Sequence, residues 1–176
     1  MTPQLEQIIK HYESLHDGDL SAIGLQPKMD CLGIWTEGWG AVVYDANNRM
    51  IKGASNKALA VQFSKIKTEV DAQSDLDSKV SRIDANVRAI VNKNIGLKQH
   101  QIDALTDFAY NCGLGSLSSS TALRLINKGD LSGIDALLKW NKGKDVKGNM
   151  IELKGLTYRR KSEIHLFKTG VVKFFN

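Results

Sequence analysis

Glu13, Asp30 and Thr36, two acids and a hydroxyl, are the candidates in this chain for acting together on one bond. Glu13 follows Tyr12 at the end of a stretch with helical periodicity, four residues after Ile9 and at the margin of its apolar face. A carboxyl half-buried at such a margin is a candidate general acid. Asp30 opens the segment DCLGIWTEGWG (30–40), which crowds glycine and tryptophan beside acids. Side chains alternate along a strand, so Thr36 points one way and Trp35 and Glu37 the other. Asp30, six residues earlier, has the parity of Thr36 if the intervening glycine turn preserves it. An acid and a hydroxyl on one face can hold a water between them. Two carboxylates in different environments are what cleavage of a glycosidic bond requires. The plainer alternative makes Glu13 a solvated helix end, Asp30 a turn former and Thr36 an ordinary strand residue. Spacing alone leaves both open.

The chain of 176 residues is long enough for one domain with a real core, or one domain with two lobes. Its net charge of +5 is uneven. Residues 1–90 carry 10 Lys+Arg against 12 Asp+Glu, whereas residues 91–176 carry 14 against 7. The basic half suits an anionic partner (nucleic acid, a membrane surface or an acidic polymer such as a bacterial wall) or is simply a solvated face. Its basic residues are scattered over several helices and not interleaved with aromatics, so no nucleic-acid partner is expected. Cys31 and Cys112 form neither metal-binding nor redox spacing and read as free thiols. His16-Asp17-Gly18-Asp19 resembles half a metal site, but His11, His100 and His165 have no ligand spacing around them. Neither a metal nor a cofactor is expected. No apolar run can span a bilayer, and MTPQLEQIIKHYE has no basic start followed by an apolar block. The expectation is a protein without a signal peptide that accumulates in the cytoplasm.

Periodicity gives the helices and strands that carry the three residues. Thr2 and Pro3 start a helix that runs to about Glu13, and Gly18 to Pro27 read as an irregular connection. LGIWTEGWG, AVVY and RMI are short strand-type runs, with DANN as a hairpin turn, giving a small antiparallel sheet over roughly 30–52. Phe63, Ile66 and Val70 share a helical face. Leu76, Val80, Ile83, Val87 and Ile90 predict a long helix near 74–93. QHQIDALTDFAYNCG predicts a helix stopped by Gly113, and SSSTALRLINKG another stopped by Gly129. DLSGIDALLKWN gives a further short helix and GKDVKGNMIELKG a loop, and Thr157 caps a last helix through Phe167. The fold class is α+β: a small antiparallel sheet lobe joined by a long helix to a larger helical lobe. Residues 1–176 form a single domain, its sheet lobe about 14–60 and its helical lobe about 90–176 plus the N-terminal helix.

HYES, DCLGIWT, GIWTEGWG, QIDALTDFAYNCG with SSSTALRLINKGD, and GLTYRRKSEIHLF resemble, in order, segments of the phage-type lysozymes. These are the endolysins or muramidases of glycoside hydrolase family 24. That family's pattern is a Glu near the end of the first helix, then an Asp or Cys, five residues and a Thr in a glycine-rich hairpin. Glu13, Asp30 and Thr36 match it. The resemblance implies a lysozyme-like fold and hydrolysis of the β-1,4 bond between N-acetylmuramic acid and N-acetylglucosamine in bacterial peptidoglycan. It implies Glu13 as general acid, with Asp30 and Thr36 positioning the water and inversion as the outcome. Tyr110, Asn111 and Arg159 correspond to substrate-contacting positions, although Arg159, Arg160 and Lys161 also read as a solvated face. It further implies a monomer without stable membrane insertion, held in the host cytoplasm until a holin-type pore releases it to the wall. The chain departs from the pattern in three places. Sixteen residues separate Glu13 from Asp30, longer than is usual, and they bring Asp17 and Asp19 as rival acids. Ala41 stands where a histidine often follows the glycine-rich strand, and Cys31 adjoins the Asp position. A non-catalytic peptidoglycan-binding module of the same fold is the alternative, and the basic, apolar-ended C-terminus leaves room for a secondary effect on membranes.

Overall fold

The computed structural model describes residues 1–30, 32–144 and 149–176. The chain divides into two compact units: Glu13–Lys79, and Met1–Tyr12 with Val80–Asn176.

The unit 13–79 is built on short strands. β1 (Lys28–Met29), β2 (Trp35–Glu37) and β3 (Ala41–Val42) form an antiparallel sheet in that order. Lys28 faces Thr36, Met29 faces Trp35, and Thr36 faces Val42. The expected hairpin is present: Tyr44 bridges Met50, and Asp45 N donates to Arg49 O at 2.9 Å. Asp45 Oδ1 accepts from Asn47 N and Arg49 N, while Asn48 takes the left-handed φ of 59° that asparagine tolerates. The sheet starts at Lys28, before Asp30, so Asp30 lies just past a strand and not within one. Two apolar clusters support the sheet, one of Trp35, Val43, Ile51 and Ala60, the other of Leu25, Ala41, Ile66 and Ala72. Trp39 packs on the second, so the two tryptophans serve different clusters.

Phe63, Ile66 and Val70 do not share a helix. α2 (Lys57–Phe63) ends before Ser64, and α3 (Glu69–Ile90) begins beyond it. The cause is Glu37: its Oε2 accepts from Ser64 Oγ (2.8 Å), Lys65 N (2.9 Å) and Ile66 N (3.0 Å), which draws these residues out of helical geometry. Thr68 and Asp71 then cap α3 reciprocally, and Val70 is left 78% exposed. α3 buries Ala72, Leu76, Val80 and Val87 along one stripe.

In the other unit, α1 (Pro3–Glu13, its last residue crossing into the first unit) buries Leu5, Ile8 and Ile9. α4 (Gln99–Cys112) stops at Gly113, whose φ of 88° suits glycine. A short helix that the periodicity did not show, α5 (Leu114–Ser119), precedes the expected one, α6 (Thr121–Ile126), which Ser120 caps by accepting from Leu123 N at 3.0 Å. Residues Leu131–Lys139 form a 3-10 helix. The lysine-rich segment expected to be a loop contains an antiparallel pair, β4 (Lys142–Lys144) and β5 (Met150–Glu152). α7 (Lys154–Thr169) begins three residues before Thr157, whose hydroxyl instead accepts from Asn141 Nδ2 at 3.0 Å. Phe108, Leu117, Ile126, Ile134, Leu137 and Phe167 are among the fully buried core of this unit. Among the described residues no helix is long and apolar enough to cross a membrane.

Candidate active site

The site begins where α1 ends. Ser14 adopts a left-handed φ of 55°, which breaks the helix directly after Glu13 and turns the chain toward the sheet. His16 N then donates to Gly38 O at 2.7 Å, pinning this connection to the glycine-rich turn between β2 and β3. Gly40 in that turn has φ 82°, and a Cβ there would lie 3.1 Å from Glu13 Oε2. The glutamate carboxyl therefore rests against bare backbone that any larger residue would obstruct.

Asp30 is shaped by its own turn. Its Oδ1 accepts from Leu32 N and Ile34 N, both at 2.8 Å, and its backbone N donates to Ile34 O at 2.8 Å. This local fastening holds the carboxylate beside the end of β1. Thr36, on β2, is only 5% exposed, and its Oγ1 donates to Lys28 O at 3.0 Å. The same oxygen lies 2.7 Å from His16 Nδ1. Glu13, Asp30 and Thr36 thus belong to one unit, and His16 links them: its Nδ1 meets Thr36, and the charges of Glu13 and Asp30 both act on its ring. Burial lowers the His16 pKa from its ordinary value, and Lys28 lowers it further. Glu13, Asp30 and a backbone hydrogen bond at Thr36 oppose them.

The rival acids have other tasks. Asp19 is half-buried and fastens its own turn through Ser21, whose hydroxyl and amide hold its carboxyl below the usual range. Glu37 is the anchor for residues 64–66. Asp17 lies in the connection, with Oδ1 buried and lacking a hydrogen-bond partner. Cys31, the neighbour that could compete with Asp30 for register, lies outside the described residues. Among the described residues no group of three or more His, Cys, Asp or Glu stands together in a way that could hold a metal ion.

Tyr110, Asn111 and Arg159 belong to the other unit. Tyr110 and Asn111 are half-buried at the end of α4. Asn111 Oδ1 accepts from Arg160 Nη2 at 2.9 Å. Arg159 is 3% exposed and grips Asp107 through Nε (3.1 Å) and Nη2 (2.8 Å), while Arg160, fully buried, pairs with Glu163 at 2.5 Å. These two arginines are not a solvated face. They neutralise two acids inside the protein, a role that periodicity could not suggest. Cys112 is a free thiol, pushed up in pKa by burial, with Arg160 Nη1 at 2.8 Å from its sulfur.

A sheet unit of this pattern and a helical unit built round α4 and α7 define a lysozyme-type fold, and known structures agree. The endolysin from Escherichia coli O157:H7 phage FAHEc1 superposes with a TM-score of 0.74 at 25% identity, covering 98% of this chain and 95% of that one. The muramidase domain of SpmX from Asticaccaulis excentricus gives 0.69 at 27%, covering 96% and 97%. The phage lysozyme family model matches residues 19–163, and the chain belongs to that family. Glu13 and His16 precede the matched span, so their place in the site rests on the geometry. An endolysin of Acyrthosiphon pisum secondary endosymbiont phage 1 is 39% identical over 89 residues, 49% of this chain and 60% of that protein. An endolysin of Bacillus phage B103 is 44% identical over 80 residues, 45% of this chain and 28% of that one. The matched stretches thus span less than two thirds of these relatives.

Proposed function

We propose that this protein is a muramidase that hydrolyses the β-1,4 bond between N-acetylmuramic acid and N-acetylglucosamine in bacterial peptidoglycan, for lysis of the host cell. The observation that carries the reading is the gathering of Glu13, against the bare backbone of Gly40, with Asp30 and Thr36 in one unit. Family membership supports it.

In this mechanism Glu13 gives its proton to the glycosidic oxygen as the C1–O bond breaks. Asp30, its Oδ1 already fixed by two amides, takes a proton from the water that forms the new C1–O bond. The water attacks the face opposite the leaving group, so the anomeric configuration inverts. Thr36 supplies the polar contact that orients the Asp30 side of the site. The reaction needs no cofactor. Tyr110 and Asn111 are proposed carbohydrate contacts in the helical unit, supported from within by the Arg159 and Arg160 ion pairs. Release of a monomeric enzyme from the host cytoplasm through a holin-type pore completes the reading. Two relatives, 26% identical over 138 residues and from Enterobacteria phages PA-2 and P21, are named SAR-endolysins.

The test is release of reducing ends from purified peptidoglycan, with mass spectrometry of the fragments to place the cut. Fragments ending in reducing N-acetylmuramic acid are the expected outcome. Wall binding without release would replace the enzyme by a non-catalytic binding module.

A further inference from the structure

The contact between His16 and Thr36 takes its direction from the tautomer of the histidine ring. A threonine hydroxyl carries one hydrogen, and in Thr36 that hydrogen goes to Lys28 O at 3.0 Å. With its hydrogen there, Thr36 Oγ1 accepts from His16 Nδ1 at 2.7 Å, the tautomer in which Nδ1 bears the hydrogen and Nε2 of the neutral ring is an acceptor. Thr36 itself is 5% exposed and already engaged twice, whereas the His16 ring is half-buried. The histidine is thus better placed than the threonine to meet solvent. The charged groups acting on it are Glu13 at the end of α1, Lys28 on β1 and Asp30 just beyond β1.

Resting on the muramidase reading, we propose that His16 is a further catalytic residue, whose Nε2 accepts a hydrogen bond from the attacking water while Thr36 fixes its tautomer. The water then spends one hydrogen on Asp30, which takes it as a proton, and the other on His16 Nε2. Its lone pair is left to form the bond to C1. The second hydrogen stays with the oxygen and becomes that of the new anomeric hydroxyl, so His16 ends the step as it began. Protonation of the ring turns Nε2 into a donor that competes for the water's lone pair. Because burial and Lys28 lower the pKa of the ring, this loss falls below the ordinary histidine value of 6.5.

His16→Asn separates this role from a merely structural one. The asparagine amide can still donate to Thr36 Oγ1, but it offers no Nε2 and does not titrate in this range. The expected result is a kcat lower by about tenfold or more, with KM and Tm near wild type. The fall in kcat on acidification assigned to His16 disappears. Long-range proton–nitrogen NMR of the His16 ring in the wild type is expected to show the hydrogen on Nδ1. A hydrogen on Nε2 overturns the proposal, and so does a His16→Asn enzyme with the kcat and pH profile of an active wild type. A wild type that releases no reducing ends instead sinks the muramidase reading, and the catalytic role of His16 with it.

Discussion

The two units treat their charges in opposite ways. In the helical unit Asp107, Arg159, Arg160 and Glu163 are all under 4% exposed, with Asp107–Arg159 joining α4 to α7 and Arg160–Glu163 paired within α7. In the sheet unit Glu13, His16 and Asp30 are half-buried and held by turns, backbone bridges and single contacts. A buried ion pair is costly to assemble and more costly to break, so its members are tied to one another. Glu13, at a helix end and beside Gly40, is only half-buried. Burial thus separates the paired acids that hold the helical unit from the half-buried acids of the sheet unit that the proposed mechanism uses.

Four experiments put that contrast to the test. Glu13→Gln should lower the rate of reducing-end release by about 10³-fold, within the usual range for a general acid, and leave the urea unfolding midpoint within error of wild type. Full activity would move the acid elsewhere in the sheet unit, to Asp17 first. Arg159→Leu should do the reverse. It strands Asp107 without its bidentate partner, and urea unfolding should show a loss of about 3–5 kcal/mol. Gly40→Ala tests the boundary, because it forces a side chain into φ 82° and brings its Cβ to 3.1 Å from Glu13 Oε2. Calorimetry should report a destabilisation of about 1–2 kcal/mol, accompanied by a several-fold fall in kcat.

The smallest effect concerns pH. Burial pushes the Glu163 carboxyl well above its ordinary value of 4.5, with the Asp107 charge adding to the rise and Arg160 opposing it. A raised acid favours the folded state while protonated, below 4.5, and loses that contribution as pH climbs through its folded value. Unfolding free energy measured from pH 4.5 upward should therefore decline in the wild type relative to Glu163→Gln, which keeps the neutral form. Asp107 has the opposite sign: burial raises its pKa, but the charge and hydrogen bonds of Arg159 prevail and hold it below 3.8. Its stabilisation is lost as pH falls through that lower value.

Much of this was legible in the residues, and the exceptions have physical reasons. The end of α1 at Glu13, the turn at Asp45–Asn48 and the stop at Gly113 come from local periodicity and turn chemistry, and local signals survive folding. The break at Ser64 was invisible because its cause, Glu37, lies 27 residues away. His16 sits in an irregular connection with no period, and its partner Thr36 is 20 residues distant. The Asp107–Arg159 pair spans 52 residues, so Arg159 reads from sequence as a basic surface position. The β4–β5 pair hides in a lysine- and glycine-rich run with little strand propensity.

The three bonds at Glu37 Oε2 also bear on how the sheet unit forms. Its strands are two or three residues long, too short to persist as an isolated hairpin. One oxygen closes a chain loop from β2 to the junction of α2 and α3, so ribbon and junction gain their order in a single cooperative step. Amide hydrogens of residues 35–37 and 64–66 should then exchange with solvent as one block, and the geometry around Asp30 and Thr36 should appear or vanish with that block.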